Sequence, residues 1–149
     1  MTATNHALTG SLIGLMVGSP WLAIPLAFAS HFVLDAIPHY GVSDPKLNSR
    51  LFSLYLVLDA AMVLVLLGLL VTLQPTYWVA GVCGAVAATS PDLMWLPDYI
   101  RAHKGKALAK HRHIVLFHKN IQWFERPIGF VVEIAWTVAL VLLSVPFYT

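Results

Sequence analysis

Residues 50 to 73 read RLFSLYLVLDAAMVLVLLGLLVTL, an apolar run with one charged side chain, Asp59, between its first residue and its last. Wound as an α-helix at about 1.5 Å per residue, it is long enough to cross the roughly 30 Å hydrocarbon core of a bilayer. Two further stretches have the same character: Tyr77 to Leu96, with Asp92 near its end, and Pro127 to Tyr148, with only Glu133. The whole chain agrees, since 58% of its 149 residues are hydrophobic and 11% charged, with a mean hydropathy of +0.75. A soluble domain of this length needs far less apolar surface. The sequence predicts an all-α integral membrane bundle forming one domain over residues 1–149.

Outward from that span, the chain from Ala7 to Ile37 is apolar and is interrupted by Gly18-Ser19-Pro20, a turn signal that makes two short antiparallel helices. The first carries Gly10, Gly14 and Gly18, a stripe that lets another helix approach closely and offers a face for a second copy of the chain. The second begins near Trp21, tolerates Pro25 in its early turns and ends near Ile37, because Pro38 lacks an amide donor and restricts its predecessor. The expected start lacks a basic stretch and a small-residue cleavage site, so the first segment is expected to be retained. A polar loop from Tyr40 to Asn48, a Gln74-Pro75-Thr76 turn and a basic connector over about 97–126 separate the longer spans, giving five helical segments. The connector includes an amphipathic stretch from His113 to Arg126.

All nine Lys and Arg residues fall in two patches, Lys46/Arg50 and Arg101 to Arg126, separated by two spans and therefore on one side. The positive-inside rule makes that side cytoplasmic, with the N-terminus there too, in an inner membrane. Nothing among these cations forms a nucleic-acid motif. Cys83 is the only cysteine, which excludes an internal disulfide and a thiolate zinc motif.

Within the hairpin, Ser30 to His39 sets His31, Asp35 and His39 four residues apart. Each such step on a helix advances about 40°, so the three form a ladder that can share an ion. A carboxylate between imidazoles in hydrocarbon needs a cation or a hydrogen-bonding partner. The alternative is a His-Asp hydrogen bond that fixes helix packing. The topology brings His6, Asp92 and Glu125 to the same face, with Asp59 and Glu133 roughly 13 and 10 Å below it at 1.5 Å per residue. His118, Gln122, Glu125 and Glu133 share about 80° of one helical face, provided Pro127 is only a kink or a helix start. Blander roles stand beside these. Asp59 can pair with Tyr55 or a backbone group, Asp92 can cap its helix, His6 can be solvated, and Glu125 can pair with Arg126. His103, His111 and His113 fit a solvated or headgroup-binding connector, and Trp78, Trp95, Trp123, Tyr77 and Tyr99 fit interfacial anchors.

The chain resembles the YdjM-like membrane-bound metal-dependent hydrolases in three short elements. Thr4-Asn5-His6-Ala7-Leu8-Thr9-Gly10 is similar to that family's N-terminal His element, His31-Phe32-Val33-Leu34-Asp35 to its HxxxD helix, and Ser90-Pro91-Asp92 to its Pro-Asp element. His111-Arg112-His113 and His118 are only vaguely similar to its later His motif, the HxxxD element precedes Pro-Asp instead of following it, and Met94 and Trp95 replace the second acid and imidazole. His31 to His39 is also similar to the HxxxD and Pro/His pattern of zinc-dependent phospholipase C and related single-strand nucleases. These resemblances imply metal-assisted cleavage of a phosphoester.

Together these features predict a hydrolase in which His6, His31, Asp35, His39 and Asp92 hold a divalent ion, Zn²⁺ or else Mn²⁺ or Fe²⁺. His118 and Glu125 are further candidate ligands. Asp59 or Glu133 would orient a water or act as general base, and Lys104, Lys106, Lys110 and Arg112 would hold the headgroup of a lipid substrate. Two rivals remain: a metal or proton transporter, which needs polar groups through both leaflets, and a scaffold with a closed structural metal site.

Overall fold

A computed structural model describes residues 1–41, 49–107 and 113–149. Its elements are α1 (Ala3–Val17), α2 (Pro20–Ala36), α3 (Arg50–Leu73), α4 (Trp78–Thr89), a 3₁₀ turn (Ser90–Trp95), α5 (Leu96–His103), α6 (His113–Ile121), α7 (Gly129–Ser144) and a final 3₁₀ turn (Val145–Phe147). Three helical stretches, Arg50–Leu73, Trp78–His103 and Gly129–Phe147, are long and apolar enough to cross a membrane. No strand occurs among the described residues, only an isolated bridge between His39 and Glu125.

The α1–α2 hairpin turns where Gly18 takes a left-handed conformation, φ 72°, with the Tyr77 ring against it. Pro20 then starts α2, where its missing amide costs nothing. The helix ends at Ala36, and Ile37-Pro38 carries the chain out in an extended conformation. α1 packs most extensively against α4. Their backbones touch through small residues, since a Cβ on Gly10 or Gly14 would overlap the Gly84 or Ala80 carbonyl. Within the chain, Gly10 and Gly14 lie against α4, and Gly18 lies against Tyr77. α2 closes the other side of α4 through Ala27, Ala87 and Ala88.

Two boundaries differ from expectation. The fourth span does not stop near Leu96 but continues as a 3₁₀ turn and α5 to His103, because Pro91 and Pro97 each fall in a first turn, where proline is tolerated. The amphipathic stretch and the last span are separate helices, with residues 122–128 non-helical. α3 buries only Leu70 and exposes Leu51, Leu54, Val57, Leu58 and Leu64, an apolar face that suits acyl chains and not water.

Candidate metal centre

Asp35 sits in the last turn of α2 and is fully buried. Its two oxygens face different neighbours. Oδ2 lies 2.9 Å from His118 Nε2, 3.2 Å from His31 Nε2 and 3.1 Å from Gln122 Nε2. Oδ1 lies 3.0 Å from His6 Nε2 and 2.7 Å from the Met1 nitrogen. Four segments thus reach one carboxylate: the start of α1, the end of α2, α6 and the residue following α6.

His31 is oriented from α4. Its Nδ1–H donates to the Ala88 carbonyl at 2.8 Å, which leaves a lone pair on Nε2, the arrangement that carbonyl-anchored metal-binding imidazoles use. That Nε2 is 2.8 Å from His118 Nε2. Two ring nitrogens so close need a proton or a cation between them. Asp92 Oδ1, in the 3₁₀ turn after α4, is 3.9 Å from His31 Nε2.

Ligand distances of 2.0 to 2.2 Å in a tetrahedron put ligand atoms about 3.4 Å apart. The separations of 2.8, 2.9, 3.2 and 3.9 Å bracket that edge, and one ligand atom from each of His31, Asp35, Asp92 and His118 lies within 4.8 Å of the others. The buried His31, Asp35, Asp92 and His118 cluster can hold a metal ion.

His6 and His39 stand beside this group of four. The His6 ring stacks on His31 with centroids 3.9 Å apart. His39 lies just beyond the helix, as expected from an end near Ile37, so within α2 the ladder joins His31 and Asp35. The His39 Nδ1–H donates to the Ile37 carbonyl at 2.8 Å, and its Nε2 is buried with no hydrogen-bond partner among the described residues. Burial holds the His39 imidazole below the ordinary histidine range, and therefore neutral.

The break between α6 and α7 removes the common helical face expected for His118, Gln122, Glu125 and Glu133. His118 and Gln122 nevertheless turn together onto Asp35. Glu125 pairs with the His39 segment through the isolated bridge and lies against Gly41, where burial raises its carboxyl above the ordinary range.

Asp59 and Glu133 are held by the start of α1. Asp59 accepts from Ala3 N at 2.7 Å, Thr4 N at 2.9 Å and Thr4 Oγ1 at 2.5 Å, so it caps a helix other than its own. Glu133 accepts from Thr2 N at 3.3 Å, Asn5 Nδ2 at 3.4 Å and Tyr40 N at 3.0 Å. A cleft of about 480 Å³ beside them is lined by Asp59, Glu133, Tyr40 and Tyr55 together with apolar Leu58, Met62, Phe130 and Ile134. Lys104 and Lys106 are exposed just past α5, whereas Lys110 and Arg112 lie outside the described residues.

The sequence reading missed Asn5, a buried hub that donates to the Glu133 carbonyl at 3.2 Å and accepts from Thr137 Oγ1 at 2.7 Å. Its signal was a polar amide beside His6 at the head of an apolar helix. No protein-family model, no curated protein and no solved structure matches this chain. The resemblance to YdjM-like hydrolases accordingly rests on its three short elements alone.

Proposed function

We propose that this protein is a membrane-embedded, metal-dependent hydrolase acting on a lipid phosphoester near the cytoplasmic face of an inner membrane. The observation that carries the reading is the convergence of His31, His118 and Asp35, all buried, with His31 pre-oriented by the Ala88 carbonyl. A bound Zn²⁺, Mn²⁺ or Fe²⁺ would polarise the phosphoryl oxygen and acidify a water. The remaining work belongs to the chain. Gln122 steadies Asp35 from the α6 side. Asp92, 3.9 Å from His31 Nε2 and 20% exposed, is the fourth candidate ligand of the cluster and its most water-accessible member.

Asp59 and Glu133 move in this reading from bases to positioning residues, since amides engage their oxygens. The cleft between them takes an acyl chain along Leu58, Met62, Phe130 and Ile134, while Lys104 and Lys106, with Lys110 and Arg112, hold an anionic headgroup. The transporter reading is weaker because the buried acids and imidazoles among the described residues gather around the start of α1 and the end of α2 and form no relay away from there.

The test is elemental analysis of detergent-purified protein combined with hydrolysis of lipid phosphoesters in mixed micelles. Bound metal and phosphate or headgroup release are expected, with both lost in Asp35→Asn. Metal that disappears in Asp35→Asn without turnover of any ester would support the scaffold with a structural ion. Protein free of metal after loading would leave a hydrogen-bonded His-Asp network.

A further inference from the structure

We infer that the segment 113–128 is held onto Asp35 by the lipid surface, with Phe117, Trp123 and Ile128 seated among acyl chains of the leaflet beside its cations. The inference rests on the metal-centre reading above and deepens it, because this segment supplies His118 and Gln122 to Asp35. Among the side chains described in α6, His118 is the only buried one, and within the bundle the helix packs against α2. A helix that buries an imidazole in place of an apolar stripe lacks the usual hydrophobic hold on its neighbours. The apolar side chains of the segment lie elsewhere: Phe117 is 54%, Trp123 68% and Ile128 69% exposed.

Continuity and charge identify what covers them. The Phe28 and Phe32 rings of α2 meet edge-on at 5.4 Å, and Phe32 meets the Phe117 ring at 5.8 Å. One aromatic file therefore runs along an apolar helix and onto α6, and Phe28 and Val33 of that helix are exposed as well. Ile128 immediately precedes Gly129–Phe147, a stretch long and apolar enough to cross a membrane, which sets the residues before it at the depth where headgroups meet acyl chains. Lys119 and Arg126, both exposed, flank Trp123, and the Arg126 guanidinium stands 5.9 Å from the Phe124 ring centre. Aromatic side chains between cations make an anchor for an anionic lipid interface. A second copy docked by twofold symmetry would instead set like charges face to face.

For the test, Phe117→Cys, Lys119→Cys and Trp123→Cys, one at a time in the full chain carrying Cys83→Ser, take a nitroxide label in nanodiscs of phosphatidylcholine and phosphatidylglycerol. Power saturation should show the labels at positions 117 and 123 more accessible to oxygen than to a water-soluble nickel chelate, and the label at 119 the reverse. Nickel access at 117 and 123 would overturn the inference in favour of water, and dipolar broadening between chains in favour of a second copy. Trp123→Ser with Ile128→Ser, checked by gel filtration, should speed the motion of the label at 119 and weaken Zn²⁺ binding about tenfold, because cutting the docked fraction to a tenth raises the apparent Kd by that factor. Leu64→Ser, an equally polar change on the exposed face of α3, should do neither. Unchanged label motion in the double variant would overturn the hold on Asp35 even with lipid contact in place, and Trp123→Ser alone serves where the double variant does not fold. Zinc missing from the unsubstituted chain would overturn the metal-centre reading alone, since the depth and motion of the labels still decide this one.

Discussion

Asp35 and Asp59 are both acids set in apolar helices, and their surroundings give them opposite work. Imidazole nitrogens surround Asp35, whereas backbone amides of α1 surround Asp59. Removing Asp59 should therefore cost stability without removing the ion. Asp59→Ala is expected to lose about 1 kcal/mol, the worth of a helix cap, seen as a lower midpoint of thermal unfolding in detergent, while saturating metal still binds stoichiometrically. Gln122→Ala should do the reverse, weakening metal affinity by about tenfold, as loss of an outer hydrogen bond to a ligand does, with the unfolding midpoint of the metal-free protein nearly unchanged. The Asp35 environment was partly legible in the sequence because His31 and Asp35 share one helix and their spacing is a local fact. The capping role of Asp59 was not, since its partner is the end of another helix and no spacing within residues 50–73 encodes it.

Among the elements, α1 and α4 decide the geometry of the centre, because α4 supplies the Ala88 carbonyl and α1 supplies His6. Their closeness depends on glycine. A Cβ at Gly84 would overlap the Gly10 carbonyl, whereas one at Gly68 in α3 would meet nothing within 4 Å. Gly84→Val is expected to destabilise the bundle by about 1 to 3 kcal/mol through overpacking and to lower metal occupancy with it. Gly68→Ala should be neutral or slightly stabilising, because a helical glycine carries an entropic cost of up to about 1 kcal/mol relative to alanine. Chemical unfolding in detergent with parallel metal analysis measures both. The stripe was visible in sequence, but its partner was not, since small residues let any helix approach and do not say which. The turn at Gly18-Ser19-Pro20 was legible because glycine and proline act on their own backbone. The break before α7 was undecidable locally, since Pro127 permits a kink or a start. It is the seating of Gly129 against the His39 carbonyl that fixes the outcome.

At the scale of the molecule, polar groups tie α3 and α7 to the start of α1, while small and apolar residues pack α1, α2 and α4 along their length. Asp59 of α3 and Glu133 of α7 bond to the first residues of α1, while α3 turns Val57, Leu58 and Leu64 outward. That asymmetry is what a centre serving one leaflet requires, and it ties two measurements together. On the proposed orientation, with the cations cytoplasmic, a cysteine at Lys104 in a Cys83→Ser background should react with a membrane-impermeant thiol reagent only from the cytoplasmic side, and one at Gln74 only from the other. The reverse pattern would move the centre, and any substrate with it, to the outer leaflet. The lipid-facing assignment of α3 carries its own cost: Leu64→Arg, at a position 69% exposed in the folded chain, should impair membrane insertion by about 3 kcal/mol, read as a reduced inserted fraction. Near-neutrality of that substitution would mean that this face meets water or a polar partner, in which case the cleft beside Asp59 would not open toward acyl chains and the substrate class proposed here would have to change.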